Sequence, residues 1–205
     1  MELVTFFQTG GPFMYHILIV FGIGVAIAIE RFVYLTKAHS LTKKTWDQVM
    51  PMLKAEDYQR AVTVTESLKT PLATVLNYGF AKQISSGRRE SIEAAMEEGM
   101  MDAMPELEQR THYLATYANV ATLLGLLGTI VGLIQAFTAV AAADPAEKAD
   151  LLSASISVAM NTTAFGLMAA IPLLLVHSYL VTKTARMVGN LENAALKSIN
   201  LMVKD

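Results

Sequence analysis

The sequence has no cysteine, which excludes disulfide bonds and thiolate metal sites in this chain. It also has little excess charge, because 16 Lys and Arg residues oppose 18 Asp and Glu residues, for a formal net charge of −2. No domain-wide basic excess exists to neutralise phosphates, so nucleic acid is not expected as a partner.

Charge is scarcest in three long apolar runs, at residues 11–35, 118–137 and 151–181. Glu30 and Arg31, near the end of the first run, are the only Asp, Glu, Lys or Arg residues in the three. A helix needs about 20 residues to cross the hydrocarbon core of a bilayer, and each run is long enough. With 53% hydrophobic residues, the composition predicts a membrane protein.

The predicted fold class is all-α: a polytopic membrane protein with three transmembrane helices, two of them extended into a cytoplasmic helical domain. Basic residues such as Lys37 and Lys183 follow the first and third runs, whereas the loop at 144–150 holds three acids and one base. The positive-inside rule therefore predicts an N-terminus outside and a cytoplasmic C-terminus. The predicted segments are an N-terminal segment with transmembrane helix 1 (1–36), a cytoplasmic helical domain (37–113), transmembrane helix 2 (114–142), an outside loop (143–150), transmembrane helix 3 (151–181) and a cytoplasmic C-terminal helix (182–205).

The first apolar run has a second interpretation, as a signal peptide. A signal peptide requires a basic region before its apolar core, and only Glu2 is charged there, so a transmembrane helix is favoured. Arg31 lies at the other end of the run. It is predicted to be a topology anchor whose long side chain reaches the lipid headgroups.

The region between the first two runs carries charges of both signs and the helix breaker Pro51. Its pattern predicts short helices at 56–69 and 71–83 and a longer one at 89–111. The apolar stripe of the longer helix runs into the second span, which predicts one continuous rod, bent at Pro105. Acidic residues alternate with that stripe and are interpreted as a solvated face rather than a metal site: Glu90, Glu93, Glu97, Glu98 and Asp102.

The second span contains glycines three and four residues apart, at Gly125, Gly128 and Gly132. Such spacing favours close helix packing in a membrane. A nucleotide loop is excluded because no lysine follows and the setting is a membrane helix. Thr129 lies within this ridge, so its hydroxyl is expected at a protein interface or along a lined pathway.

The third span has a polar first half that includes Ser157, Asn161, Thr162 and Thr163. Hydroxyls in membrane helices often bond back to the backbone, but Asn161 beside two threonines, with Ser157 one turn earlier, is expected to form a polar cluster that faces protein or water. These four residues are predicted to line an ion pathway with Thr129. No ionisable residue lies at 118–142 or 151–176. Either the chain moves no proton, or a partner supplies the carboxylate. A sodium path using Thr129, Asn161, Thr162 and Thr163 as oxygen ligands is the other possibility.

Two motifs carry a family resemblance. The sequences GLLGTIVG at 125–132 and NTTAFGLMAAIP at 161–172 resemble the signature helices of the MotA/TolQ/ExbB ion-channel family. Three spans and the small size are more similar to the ExbB/TolQ branch than to the four-span flagellar stators. Gly166 and Pro172 belong to the second motif and are expected at helix contacts.

The resemblance implies a homopentamer in a bacterial inner membrane, surrounded by membrane lipid. The pentamer would enclose two single-span partners similar to ExbD or TolR, whose membrane aspartate binds the ion. Ion flow would turn the partner dimer and drive work in the periplasm or on the outer membrane. Carried over by position, Thr129 and Thr163 would line the inner wall. No cofactor is implied.

The chain departs from the ExbB and TolQ pattern at Val158, where a glutamate usually stands five residues before the second conserved threonine. The pair Thr162 and Thr163 instead resembles sodium-driven stators. The sequence therefore favours sodium, with no fixed metal site but transient binding near Thr129 and Thr163, while proton coupling through the partner's carboxylate stays open. A non-conducting scaffold that holds partner helices is the alternative function. An enzyme is not predicted, because no nucleophile with a base and no metal cluster is found.

Overall fold

The computed structural model describes residues 10–203, and every regular element in that range is an α-helix. The predicted all-α fold class is confirmed. The six helices are α1 (Phe13–Lys54), α2 (Tyr58–Ser67), α3 (Pro71–Ser85), α4 (Arg89–Glu108), α5 (Thr111–Ala142) and α6 (Lys148–Met202).

Three stretches are long and apolar enough to cross a membrane, namely Phe13–Lys54, Arg89–Ala142 and Lys148–Met202. Each contains all or nearly all of one of the three apolar runs of the sequence and extends beyond it. The chain is therefore an integral membrane protein with three spans, as predicted.

The chain divides into two compact units. Of the described residues, unit one holds 10–30 and 110–179, and unit two holds 31–109 and 180–203. The sequence placed the first boundary after residue 36. That boundary lies inside α1, where the helix continues without any local break that a sequence pattern would mark.

Unit one contains the contact between α5 and α6, which is made by small residues. On α5 they are Ala121, Gly125, Gly128 and Gly132, and on α6 they are Ala159, Thr163 and Gly166, with the small residue Ala170 at the next position of the same series. Both sets follow the same four, three, four spacing, which keeps them on one face of a helix. A Cβ atom built on Gly166 would lie 2.8 Å from the Ala121 carbonyl oxygen and 3.0 Å from the Gly125 Cα. Backbone therefore meets backbone at this crossing.

Unit two is built around the packing of α3 against α2 and α4. Thr70 caps α3 by accepting a hydrogen bond from the Ala73 N–H at 3.2 Å, and Pro71 follows as the first helical residue. A Cβ on Gly99 of α4 would lie 3.0 Å from the Val75 Cα of α3, so these two helices also approach closely. The buried core between them includes Leu72, Leu76, Phe80, Ile92 and Leu107.

Two sequence expectations about helix breaks are wrong. Pro51 does not end α1, which continues to Lys54 before Glu56 takes a positive φ of 56°. The rod predicted across α4 and α5 is not continuous, because Arg110 has a φ of 61° between the two helices. A proline costs one hydrogen bond and need not end a helix, whereas a left-handed residue interrupts the helical path. The break therefore lies five residues beyond Pro105.

Arg31 is fully buried in unit two. Its Nη2 atom donates hydrogen bonds to the carbonyl oxygens of Glu106 at 3.0 Å and Leu107 at 2.7 Å, in the last turn of α4. Its guanidinium also lies 4.7 Å from the Tyr34 ring centroid. The side chain thus satisfies carbonyls that a helix end leaves unpaired and complements the negative end of the helix dipole. The expected reach to lipid headgroups is not observed, and its role as a topology anchor stays a prediction.

Replacing Gly166 with alanine is expected to lower the free energy of unfolding by about 1–3 kcal/mol, because the added methyl group forces two backbones apart. The matched control is Gly22→Ala, also in a membrane span, since a Cβ there meets nothing within 4 Å. Thermal unfolding in detergent measures both variants. Equal melting temperatures for Gly166→Ala and the wild type would contradict the close packing of α5 and α6.

Replacing Arg31 with lysine keeps the charge but removes the planar guanidinium, whose Nη2 atom reaches two carbonyls and which lies over the Tyr34 ring. We expect a loss of about 1.5–3 kcal/mol and faster hydrogen exchange in the last turn of α4. Arg110→Lys is the control, because the Arg110–Glu30 pair is exposed and its atoms lie 3.4 Å apart, so about 0–1 kcal/mol is expected. Equal losses in the two variants would count against the capping role.

Candidate ion site between two membrane helices

The site is a pair of hydroxyl groups at the crossing of α5 and α6 in unit one. The Oγ1 atom of Thr129, on α5, is hydrogen-bonded to the Oγ1 atom of Thr163, on α6. Both side chains are partly buried. Two threonines that are 34 residues apart in the chain therefore form one polar spot in a contact otherwise made by small residues.

Two backbone carbonyls complete this spot. The Gly125 oxygen lies 3.2 Å from the Thr129 hydroxyl and 3.0 Å from the Thr163 hydroxyl, while the Ala159 oxygen lies 3.3 Å from Thr129. Gly125 belongs to α5 and Ala159 to α6, so each helix supplies one hydroxyl and one carbonyl. Four oxygen atoms are thus gathered at one place.

The close packing explains why the carbonyls are within reach. Gly125 and Gly166 have no side chains, so a Cβ on Gly125 would lie 3.2 Å from the Gly166 Cα. The threonine on α6 can then reach across to a carbonyl on α5. A larger residue at Gly125 or Gly166 would separate the two halves of the site.

The two hydroxyl hydrogens of Thr129 and Thr163 determine whether the pair can donate a hydrogen bond to a third group or only accept one. Two hydroxyls carry two hydrogens, and the chain itself supplies acceptors for both, since each hydroxyl lies near a carbonyl and near the other hydroxyl. Their remaining lone pairs are acceptors. In this arrangement the site suits a cation or a group that donates a hydrogen.

Electrostatically the site is neutral. No Asp, Glu, Lys, Arg or His occurs at 118–142 or 151–176, and among the described residues no three His, Cys, Asp or Glu side chains cluster to hold a metal. These two stretches of α5 and α6 therefore bring no charged side chain to the site.

Thr162 faces a different direction from Thr163 and is 2% exposed. Its hydroxyl lies 2.6 Å from the Gly10 carbonyl oxygen and 3.0 Å from the Val158 carbonyl oxygen. A Cβ atom built on Gly128 would lie 2.4 Å from the Thr162 methyl carbon, so the Thr162 side chain fills the space beside this glycine. Within unit one, Thr162 thus occupies a packed contact with the segment before α1.

The other predicted site residues are spread around α6. Ser157 is exposed, Asn161 is partly exposed, and Pro172 is exposed within the helix. Successive residues of a helix are turned by about 100°, so Asn161, Thr162 and Thr163 cannot share one face. The polar stretch of span three is therefore divided among three directions rather than gathered in one cluster. Gly132, by contrast, lies at the helix crossing, where a Cβ would be 3.1 Å from the Ala159 Cβ.

Sequence reasoning missed the carbonyl groups of Gly125 and Ala159. The signal that could have found them is the matching four, three, four spacing of small residues on the two spans, which predicts a crossing in which both backbones are exposed to each other. The Gly10 carbonyl that accepts from Thr162 lies 152 residues away in the chain, and no local pattern indicates it.

Comparison with known proteins finds relatives that bear ExbB and TolQ names. An ExbB homolog of the archaeon Methanothermobacter thermautotrophicus is 30% identical over 176 residues, which is 85% of this chain and 61% of that protein. The Tol-Pal system protein TolQ of Haemophilus influenzae is 37% identical over 86 residues, covering 42% of this chain and 37% of TolQ. The biopolymer transport protein exbB1 of Vibrio cholerae is 38% identical over 85 residues, with the same coverage of both chains. The chain thus spans less than two thirds of the length of each of these three relatives.

A family model described as the MotA/TolQ/ExbB proton channel family matches residues 67–193. The match includes α3, α4 and α5 and most of α6, and it contains both threonines of the hydroxyl pair. It covers well over half of the sequence. The chain therefore belongs to the MotA/TolQ/ExbB proton channel family, whose members are transport proteins and not enzymes.

Proposed function

We propose that this chain is the channel-forming subunit of an ion-driven membrane complex of the ExbB/TolQ type. It would couple proton or sodium flow to the mechanical work of a single-span partner similar to ExbD or TolR. The observation that supports this most directly is the Thr129–Thr163 hydroxyl pair, held in a charge-free contact between two membrane helices. Membership of a channel family gives that pair its context.

The chemistry of the pair suggests how it would act on a partner's carboxyl group. Both hydroxyl hydrogens have acceptors within the chain, so the outward lone pairs accept a hydrogen bond from a protonated carboxylic acid or bind a cation. An ionised carboxylate is an acceptor only, and it would face these lone pairs unfavourably unless a hydroxyl released its carbonyl. The pair would therefore respond differently to the neutral or ion-bound carboxyl and to the bare carboxylate.

The proposed assembly is a homopentamer around a dimer of the partner, with Thr129 and Thr163 on its inner wall. The N-terminus would lie outside the membrane and the C-terminus in the cytoplasm, as the distribution of basic residues favours. A bacterial inner membrane is the proposed location. The archaeal relative indicates that similar chains also occur in archaea.

Within this proposal Thr162 has a packing role. Its hydroxyl is taken up by the Gly10 and Val158 carbonyls, and its side chain is buried against Gly128. Asn161 and Ser157 are more exposed in the chain, and we assign them to surfaces that meet other subunits or water. Thr129 and Thr163 then remain as the two ligands that this chain offers to the ion pathway.

The sequence favours sodium as the coupling ion. A hydroxyl pair with carbonyls close by offers the oxygen ligands that an alkali cation requires, and the partner's carboxylate would supply the charge. Proton flow is the competing possibility, because a partner carboxyl alone can carry a proton past a neutral hydroxyl pair. The two differ in whether external sodium is required.

Replacing Thr129 or Thr163 with valine is expected to reduce ion flux through the complex with its partner by about tenfold or more, because one oxygen ligand is lost at constant shape. Serine at either position retains the hydroxyl and should preserve most of the flux. Flux is measured in liposomes that contain both subunits.

The matched control for these variants is Thr138→Val. Thr138 lies nine residues after Thr129, on the opposite side of α5, and its exposed hydroxyl donates only to its own helix, at 2.8 Å from the Ile134 carbonyl oxygen. Wild-type flux in both site variants would contradict the proposal. A wild-type complex that seals the liposomes under every gradient would instead favour the non-conducting scaffold.

If sodium is the coupling ion, work by the complex should continue when a protonophore collapses the proton gradient and a sodium gradient is maintained. It should cease when external sodium is replaced by potassium, because the larger ion fits the same oxygen ligands less well. Partner-dependent activity in energised vesicles is the measurement. Full activity without sodium would eliminate sodium coupling and leave proton flow through the partner.

A further inference from the structure

Unit two contains an open cleft of about 500 Å³ between α1, the start of α3 and the end of α6. Nothing in the ion pathway involves it. The cleft is lined by His39, Thr42, Lys43, Trp46, Leu72, Asn190, Asn193, Ala194 and Lys197. Its volume is within the range of about 300–1,000 Å³ that is usual for small-molecule sites.

Two helix faces form most of the lining, with identical spacing. The α1 residues are at 39, 42, 43 and 46, and the α6 residues are at 190, 193, 194 and 197. Positions three, four and seven apart lie on one face of a helix, and between packed helices they are usually apolar. Here most of them are polar or cationic. The two faces therefore line an open cleft rather than a packed seam.

The charge of the lining has one sign. Lys43 and Lys197 supply two ammonium groups, His39 adds an imidazole, and Asn190 and Asn193 add amide donors. Among the described residues no carboxylate lines the cleft, although the whole chain has a formal net charge of −2. Acidic side chains are found instead in a neighbouring groove of unit two, which is lined by Glu93, Glu97 and Glu192. Basic and acidic groups are thus separated onto different surfaces of this unit.

The cleft also has a surface for an organic group. Leu72 and Ala194 are buried beneath it, and the indole of Trp46 is partly exposed beside Lys43. The Thr42 hydroxyl donates to the Ala38 carbonyl oxygen at 2.9 Å, so its hydrogen is already used. Hydrogen-bond donation to a ligand would therefore come from the lysines, the asparagines and the histidine.

We propose that this cleft binds the phosphate group of a phosphate-bearing small molecule, with the organic part of that molecule against Trp46 and Leu72. Two ammonium groups match the charge of a phosphate, and charge-assisted hydrogen bonds to its oxygens are roughly twice as strong as neutral ones. The phosphate belongs either to a soluble molecule or to an anionic lipid headgroup. The site does not depend on the proposed ion-channel function.

Trp46 is the single tryptophan of the chain, so its fluorescence reports on this cleft directly. The full chain is placed in nanodiscs of neutral phosphatidylcholine and titrated with inorganic phosphate and with ATP, using excitation at the red edge of tryptophan absorption. A second preparation uses nanodiscs that contain phosphatidylglycerol. A saturable change in emission is expected with one of these phosphate sources, and it should weaken as ionic strength rises.

The test variant is Lys43→Gln with Lys197→Gln, which removes both ammonium groups and retains Trp46. Its apparent dissociation constant is expected to rise about tenfold or more, equivalent to about 1.4 kcal/mol or more. The matched control is Lys44→Gln with Lys54→Gln, which removes the same charge from exposed positions of α1 outside the cleft. The control should bind as the wild type does, and unchanged helical content verifies that both variants are folded.

Each outcome bears on the proposal. A response to phosphate or ATP that the test variant loses identifies a soluble phosphate as the ligand. A response only in phosphatidylglycerol nanodiscs, lost in the same variant, identifies a lipid headgroup. No saturable response in any preparation, or an equal loss in the test and control variants, would overturn the site.

Discussion

The close approach of the α5 and α6 backbones is the contact on which the candidate site depends. In lipid, helices gain no hydrophobic energy by meeting, so packing and hydrogen bonds must hold them together. Gly125 and Gly166 bring Cα atoms so near that a Cβ on either would lie 3.0–3.2 Å from the other Cα. At that separation a threonine on one helix can reach a carbonyl on the other. The polar contacts of the site therefore depend on the close packing of the two helices.

The neutrality of the site follows from the sequence and has a functional consequence. Helices without ionisable side chains are inexpensive to keep in a membrane, whereas a charge at the bilayer centre is costly. In the proposed complex, a subunit that presents only hydroxyls and carbonyls at this site would remain stable without its partner. The charge that gives the proposed pathway its ion selectivity would then come from the partner, and the complex would depend on both chains.

Unit two shows how the chain accommodates charged groups, beginning with the arginine near the end of the first apolar run. Arg31 is buried, and two carbonyls in the last turn of α4 accept hydrogen bonds from it. The remaining surface divides charge between an acidic groove and a basic cleft on neighbouring faces. Glu192 and Asn193 are adjacent in α6 but line different cavities, because successive helix positions are turned by about 100°. A single helix can thus carry two surfaces of different chemistry.

The sequence by itself determined the fold class and the three spans, because uncharged runs of this length have few other stable structures. It also indicated Thr129 and Thr163, through two motifs that resemble a known family. It wrongly predicted a helix break at Pro51, because a proline's cost can be absorbed locally. It also predicted a continuous rod bent at Pro105, whereas Arg110 interrupts the helix in a left-handed conformation that no composition signal indicates.

Only the tertiary structure decided which polar groups share a site. Thr162 and Thr163 are neighbours in sequence, yet one bonds to Gly10 and the other to Thr129. It also showed that Arg31 caps a helix and that two lysines 154 positions apart line one cleft. Local patterns specify helices and the faces of those helices. Which face meets which depends on contacts between residues far apart in the chain, and the three-dimensional packing alone contains that information.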